Sequence, residues 1–235
     1  MSVARHVTYW SAVAVVAAAV LVSTARHGRS TVAVDLVLVL ALDVSESVSN
    51  REFELQTVGL ARAFRHPAVA DAIRRGVSKR IAVTAVQWSG FQDQYVSLDW
   101  QIVNDAASAA AFAKRLADMP RRYPNDFTHI AGAIEFSTRL IAHAPYLATR
   151  RVIDVSGDGE NNVNVPPGAA RDAAIRDGVT INGLAILNES DRLDEYYRRN
   201  VIGGPGAFVE VAQDYDDFAA AMLRKLLREI SNFVS

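Results

Sequence analysis

The stretch "LALDVSESVSNREFE", Leu40 to Glu54, passes from an apolar run into a polar one, and its reading decides the fold. Upstream, Val34 to Leu42 reads "VDLVLVLAL", apolar with one interruption, which is the pattern of a parallel strand covered by helices on both faces. Downstream, Ser49-Asn50-Arg51-Glu52 has the spacing of a capping box, in which a hydroxyl and a carboxylate each satisfy a free helix-end amide, so a helix should open there and run to about His66. Between the two lie Asp43, Ser45 and Ser47 at alternate positions. In an extended chain such residues project to one side, so three oxygen-bearing side chains converge while Val44 and Val48 face the core.

The rest of the chain repeats this alternation of strand and helix. "RIAVTAVQW" (Arg80 to Trp88) and "QYVSLDWQIV" (Gln94 to Val103) predict an antiparallel pair around Gly90, and the alanine-rich stretch Asp105 to Met119 predicts a helix. Thr128 to His143 is helical, with Ile130, Ile134 and Ile141 on one side, and leads into the strand "RRVIDVS", Arg150 to Ser156. A helix from Gly168 to Arg176, the strand "GVTINGLAIL" (Gly178 to Leu187), a short charged helix from Asp191 to Arg199 and the strand "AFVEVA" (Ala207 to Ala212) follow. The last element is a helix from Asp214 to Phe233, whose Phe218, Met222, Leu226 and Ile230 form a core-packing stripe. The expected fold class is α/β: a doubly wound, mostly parallel six-stranded sheet with one antiparallel edge strand and helices on both faces. Ligands of such sheets bind outside the carboxyl ends of the strands, where the winding reverses.

Composition narrows the partners. With 235 residues, 50% hydrophobic and 22% charged, the chain supports one sizeable core. A formal net charge of -1 with no long basic run excludes nucleic acid as an expected partner. Residues 1–25 have a different character: Arg5 and His6 precede the apolar run Trp10 to Val22, and Ser23-Thr24-Ala25 supplies small residues for cleavage. This predicts an export signal, with periplasmic or secreted localisation, followed by a linker over residues 26–32 and one domain over residues 33–235. The alternative is an uncleaved anchor, since no charge falls between His6 and Arg26 and a span of roughly 20 residues crosses a bilayer. The membrane is a partner only in that case. The chain has no cysteine, which excludes disulfides, thiolate chemistry and a lipid-modified amino-terminal cysteine.

Polar residues at strand ends are the candidate site. Carboxylate and hydroxyl oxygens with no histidine or cysteine beside them are hard donors that favour Mg²⁺, or the similar Mn²⁺, over zinc. Besides Asp43, Ser45 and Ser47, the segment "VIDVSGDGENN" (Val152 to Asn162) leaves its strand through Ser156, Gly157, Asp158 and Gly159, where the glycines allow a sharp turn that presents Asp158. Thr128 stands just ahead of a helix. Each piece has a plainer reading: Ser47 or Ser49 as a helix cap, Asp158 in an ordinary turn, Thr128 as an amino-terminal cap. Asn161, Asn162 and Asn164 read as turn formers or as an extension of a ligand surface. "GGPGAF" (Gly203 to Phe208) reads as a turn into the last strand, since no helix follows it to bind an anion.

Taken together and in order, these residues resemble the von Willebrand factor type A domain, the fold of integrin inserted domains, with its metal-ion-dependent adhesion site (MIDAS). The family's DxSxS element corresponds to Asp43-Val44-Ser45-Glu46-Ser47, its threonine element to Thr128-His129-Ile130, and its aspartate before glycine to Asp158-Gly159; the resemblance spans roughly residues 33 to 233. The chain departs from the family in having Asp126-Phe127 where glycine commonly precedes the threonine. The resemblance implies that Ser45, Ser47 and Thr128 contact the metal, and that Asp43 and Asp158 do so directly or through water. It implies a metal-dependent protein-binding module that captures an exposed Glu or Asp of a partner. A metal-dependent phosphohydrolase is one alternative, but those enzymes resemble DxDxT and position +2 here is Ser45; no GxSxG elbow or P-loop occurs, and His66, His129 and His143 read as loop, cap or surface residues, so no enzyme is expected. The other alternative is a structural or sensor module with a vestigial site.

Overall fold

The computed structural model describes residues 31–122 and 127–231. The expected export signal, most of the linker, Asn125 and Asp126 lie outside them. Linker residue Val32 already belongs to the first strand.

Six strands form one sheet: β1 (Val32–Asp43), β2 (Ile81–Trp88), β3 (Gln94–Val103), β4 (Tyr146–Gly157), β5 (Thr180–Ile186) and β6 (Val209–Ala212). Their order is β3-β2-β1-β4-β5-β6, all parallel except β3, which pairs antiparallel with β2 at the edge. The fold class is therefore the one expected. From Leu36 onward the period-two alternation of β1 divides its apolar residues between two cores: Leu36, Leu38, Leu40 and Leu42 enter one, Val37, Val39 and Ala41 the other. The first core is closed by helices α1 (Asn50–Arg65), α2 (Pro67–Arg74), α3 (Ala106–Ala117) and α7 (Phe218–Ser231), the second by α4 (Ile130–Ala142), α5 (Gly168–Arg176) and α6 (Leu193–Tyr196). Among the described residues no helix is long and apolar enough to cross a membrane.

Most boundaries fall where the sequence puts them. Ser49 and Glu52 form the capping box of α1. The α7 stripe of Phe218, Met222, Leu226 and Ile230 is buried. Three local differences have physical causes. After α1 the chain starts a second helix instead of a loop, because His66 ends α1 and then caps α2, its Nδ1 accepting from Ala68 N at 3.2 Å while Pro67 takes the first helical position, which needs no amide donor. The expected charged helix from Asp191 is only the short α6, which runs on into a π turn, Tyr197–Val201. Strand β4 begins at Tyr146, four residues before the expected Arg150, because the early residues of β1 extend far enough to pair with it, Val32 opposite Tyr146.

Strands β1 and β4 are neighbours, yet the chain winds to β2 and β3 on one side before crossing to β4, β5 and β6 on the other. The winding reverses between β1 and β4, and the crevice that opens at their carboxyl ends is where such sheets bind ligands. Asp43 ends β1 and Gly157 ends β4, so Asp158 is the first residue beyond.

Candidate metal centre

The sequence places Asp43, Ser45 and Ser47 on one side of an extended strand; the structure brings them together differently. β1 stops at Asp43 and the following residues form a tight turn, closed by Val48 N donating to Ser45 O at 3.0 Å. Val44 and Val48 are buried in the core as expected. The turn, not strand alternation, sets the two serine hydroxyls 3.2 Å apart. Ser47 Oγ then donates to Asp158 Oδ1 at 2.8 Å across the crevice. Tyr215, in the loop before α7, donates its hydroxyl to the other Asp158 oxygen at 2.9 Å. One hydrogen-bonded chain thus joins Ser45, Ser47, Asp158 and Tyr215 from three separate segments.

Asp43 lies behind this chain, fully buried. Its Oδ1 accepts from Ser45 N at 2.8 Å, and its Oδ2 is buried with no hydrogen-bond partner among the described residues. Burial, reinforced by the charge of Asp158, pushes its carboxyl up to about 7. Burial also raises Asp158, against the lowering effect of the bonds from Ser47 and Tyr215. Two carboxyls held above their usual range in one crevice form a site short of positive charge, and the orphaned Oδ2 has an unmet need for a donor or a cation.

Thr128 is buried, 4% exposed, and comes to the same crevice from the segment that leads into α4. Its amide donates to Asn162 Oδ1 at 2.7 Å, its carbonyl accepts from Asn162 N at 3.2 Å, and Ile130 N donates to Asn161 Oδ1 at 3.2 Å. These bonds lash it to the loop after Asp158, so that a Cβ added to Gly159 would lie 3.6 Å from Thr128 Oγ1. Thr128 does not cap α4, whose cap position is His129 with no side-chain bond. No described hydrogen bond links the Thr128 hydroxyl to Ser45 or Ser47. The asparagines are therefore ties that hold the threonine segment, a role beyond turn formation. Their amides were visible as a pair in the sequence, but nothing local identified what they would hold.

The histidines take other places. His66 caps α2, and His143 Nδ1 lies 2.8 Å from Arg139 O on its own helix. His129, expected in a loop, cap or surface position, is a buried cap residue whose ring lies against Phe91, centroids 4.3 Å apart. Burial lowers its pKa and so favours the neutral ring. Among the described residues no three His, Cys, Asp or Glu side chains cluster to hold a metal on their own. The donor set that fits a cation here mixes two carboxylates with hydroxyls, which suits a hard divalent ion.

Known structures share this architecture. Proximal thread matrix protein 1 from the mussel byssus, in a structure with a zinc-occupied MIDAS motif, is similar with a TM-score of 0.61 at 13% identity over 86% of this chain and 49% of that one. A von Willebrand factor type A protein from Catenulispora acidiphila is similar with a TM-score of 0.53 at 18% identity, over 84% of this chain and 42% of that one. The vWF domain of the type V pili tip protein Mfa5 from Porphyromonas gingivalis is similar with a TM-score of 0.55 at 14% identity, over 85% of this chain and 96% of that one. The chain spans about half the length of the mussel protein. At these identities the likeness is one of fold, and the fold is that of the von Willebrand factor type A domain. No curated protein matches the sequence. Residues 33–234 match the family model described as a protein of unknown function, DUF1194, and the chain belongs to that family.

Proposed function

We propose that the crevice between β1 and β4 holds one divalent cation, Mg²⁺ or Mn²⁺, and that the loaded site binds an exposed Glu or Asp of a partner protein. Ser45, Ser47 and Thr128 would hold the ion directly, Asp43 and Asp158 directly or through water. The observation that carries this reading is the chain from Ser45 through Ser47 to Asp158, with the buried Asp43 Oδ2, unpartnered among the described residues, behind it. When bound, the cation supplies a Lewis-acidic position that a carboxylate can occupy. The residues of the chain do the rest. Ser47 is oriented by Asp158, which is itself fixed by Tyr215, and Asp43 fixes the turn through the Ser45 amide. The zinc-occupied MIDAS of the mussel protein supports a divalent ion at this position of the fold. Pilus and matrix proteins among the structural relatives support protein binding over catalysis. The occupied roles of His66 and His143 agree, since neither is directed at a serine. Residues 1–25 are part of the same proposal as an export signal that delivers the domain, residues 33–235, outside the cytoplasm.

Thermal unfolding with and without Mn²⁺ tests the metal site. The ion should raise the midpoint, and Asp43→Ala should abolish the rise. A wild-type midpoint indifferent to both Mn²⁺ and EDTA would refute the proposal. Partner binding is tested by pull-down from periplasm, where retention should be lost on chelation and restored by Mg²⁺.

A further inference from the structure

Arg121 stands outside every motif, yet it is the most heavily used side chain around the serine turn. Its Nη2 donates to Val44 O at 3.2 Å, to Ser45 O at 3.1 Å and to the Val48 carbonyl, and its Nη1 donates to Asn50 Oδ1 at 2.9 Å. The turn from Val44 to Asn50 is thus wrapped around one guanidinium. The backbone on both sides of Arg121 is anchored in turn. Gln87, fully buried on β2, donates through Nε2 to Pro120 O at 2.9 Å and accepts from Arg122 N at 2.6 Å.

We propose that Arg121 is the positioning residue of the metal centre: it gathers the carbonyls of the Val44–Asn50 turn on one side, so that the hydroxyls of Ser45 and Ser47 are presented together on the other. The proposal rests on the metal-site reading above. Its physical basis is a problem of satisfaction. A turn that aims two side-chain oxygens into the crevice leaves its main-chain carbonyls aimed together, and converging acceptors need a donor in the same place. A planar guanidinium offers several N–H groups in a fixed fork, which a lysine ammonium does not. Gln87 explains why position 121 can do this from a loop: the strand end fixes where the arginine starts.

The test uses the full chain with Mn²⁺ as the probe, in wild type, Arg121→Ala and Arg121→Lys. Affinity is read by electron paramagnetic resonance of free Mn²⁺, and the apo proteins are compared by amide hydrogen exchange over residues 44–50. Arg121→Ala should weaken Mn²⁺ binding by about tenfold or more and speed exchange at Val48, while Arg121→Lys should recover only part of the affinity. A residue with a merely structural role would lower the unfolding midpoint and leave affinity unchanged in the folded fraction. Wild-type affinity in Arg121→Ala overturns the proposal and leaves the metal site standing. A wild type that binds no Mn²⁺ overturns both, so the two failures are distinct. If Arg121→Ala does not fold, Gln87→Met carries the same test: it frees Pro120 and Arg122 while keeping the guanidinium, and it should weaken Mn²⁺ binding in the same direction by less.

Discussion

Gly157 shows what one missing atom does for the site. The sequence suggests that this glycine serves the turn that presents Asp158, but it is the last residue of β4 and has no left-handed backbone angle. Its role is space. A Cβ there would lie 2.8 Å from Asp43 Oδ2 and 2.9 Å from the Tyr197 hydroxyl, both buried and without hydrogen-bond partners among the described residues. Gly157→Ala should therefore displace the Asp43 carboxyl, cost about 1–3 kcal/mol by overpacking, and remove the stabilisation by Mn²⁺. Gly159→Ala is the control, because its Cβ would meet Thr128 Oγ1 at an ordinary 3.6 Å. Urea denaturation of both variants with and without Mn²⁺ measures the contrast, and equal behaviour would show that the crowding at Asp43 is harmless. At this scale the motif residues are legible because short spacing carries them: Asp43, Ser45 and Ser47 within five positions, Asp158 beside its glycines. Tyr215 and Arg121 are not. Their partners lie 57 positions away for Tyr215 and from 71 to 77 for Arg121, and nothing around either residue marks it as belonging to a site.

Helix α7 shows the same limit for a whole element. Its apolar stripe could be read by periodicity, whereas Lys225 and Glu229, four residues apart, have the usual pattern of a solvated helix face. Both are instead fully buried: Lys225 Nζ lies 2.6 Å from Asp154 Oδ1 on β4 and 2.5 Å from Glu229 Oε1, and Asn182 on β5 donates to Glu229 Oε1 at 2.9 Å. Its signs in the sequence are one aspartate in the apolar "VIDVS" strand and one asparagine, Asn182, in "GVTINGLAIL", and each reads as a single interruption. The group ties α7 to the sheet through a lysine that serves two acids. Lys225→Met should leave both carboxyls without their cation and cost about 3–5 kcal/mol. Replacing Asp154, Lys225 and Glu229 together by apolar residues of similar volume should restore most of that loss. Urea denaturation of the single and triple variants checks this, and a Lys225→Met protein as stable as wild type would mean that the network contributes no attraction.

For the whole molecule, alternation of strands and helices makes the class of sheet legible, but the neighbour relation of β1 and β4 is not local. Residues 43 and 158 meet only because the winding reverses between strands that are separated by two others in the chain. The same sheet also carries two buried carboxyls raised to about 7 from a usual 3.8, Asp43 and Asp154, and both are raised first by burial. An acid whose folded pKa lies above its unfolded one binds its proton more tightly when folded. Its contribution is therefore full below about pH 4 and is lost as pH rises through about 7. Burial raises Asp158 and Glu189 as well, so the difference between variant and wild type is the informative quantity. Between pH 5 and pH 8 the apo protein should lose more stability than Asp43→Asn, and more than Asp154→Asn. Mn²⁺ should separate the two carboxyls. Only the ionised form of Asp43 suits a cation, so stabilisation by the ion should grow over the same range and offset the Asp43 loss, while the Asp154 loss persists. At one hundred times its dissociation constant the ion should add about 2.7 kcal/mol to a single unfolding transition. Urea curves at the two pH values, with and without Mn²⁺, measure each part. A stabilisation by Mn²⁺ that shrinks from pH 5 to pH 8 would show that Asp43 takes no part in holding the ion.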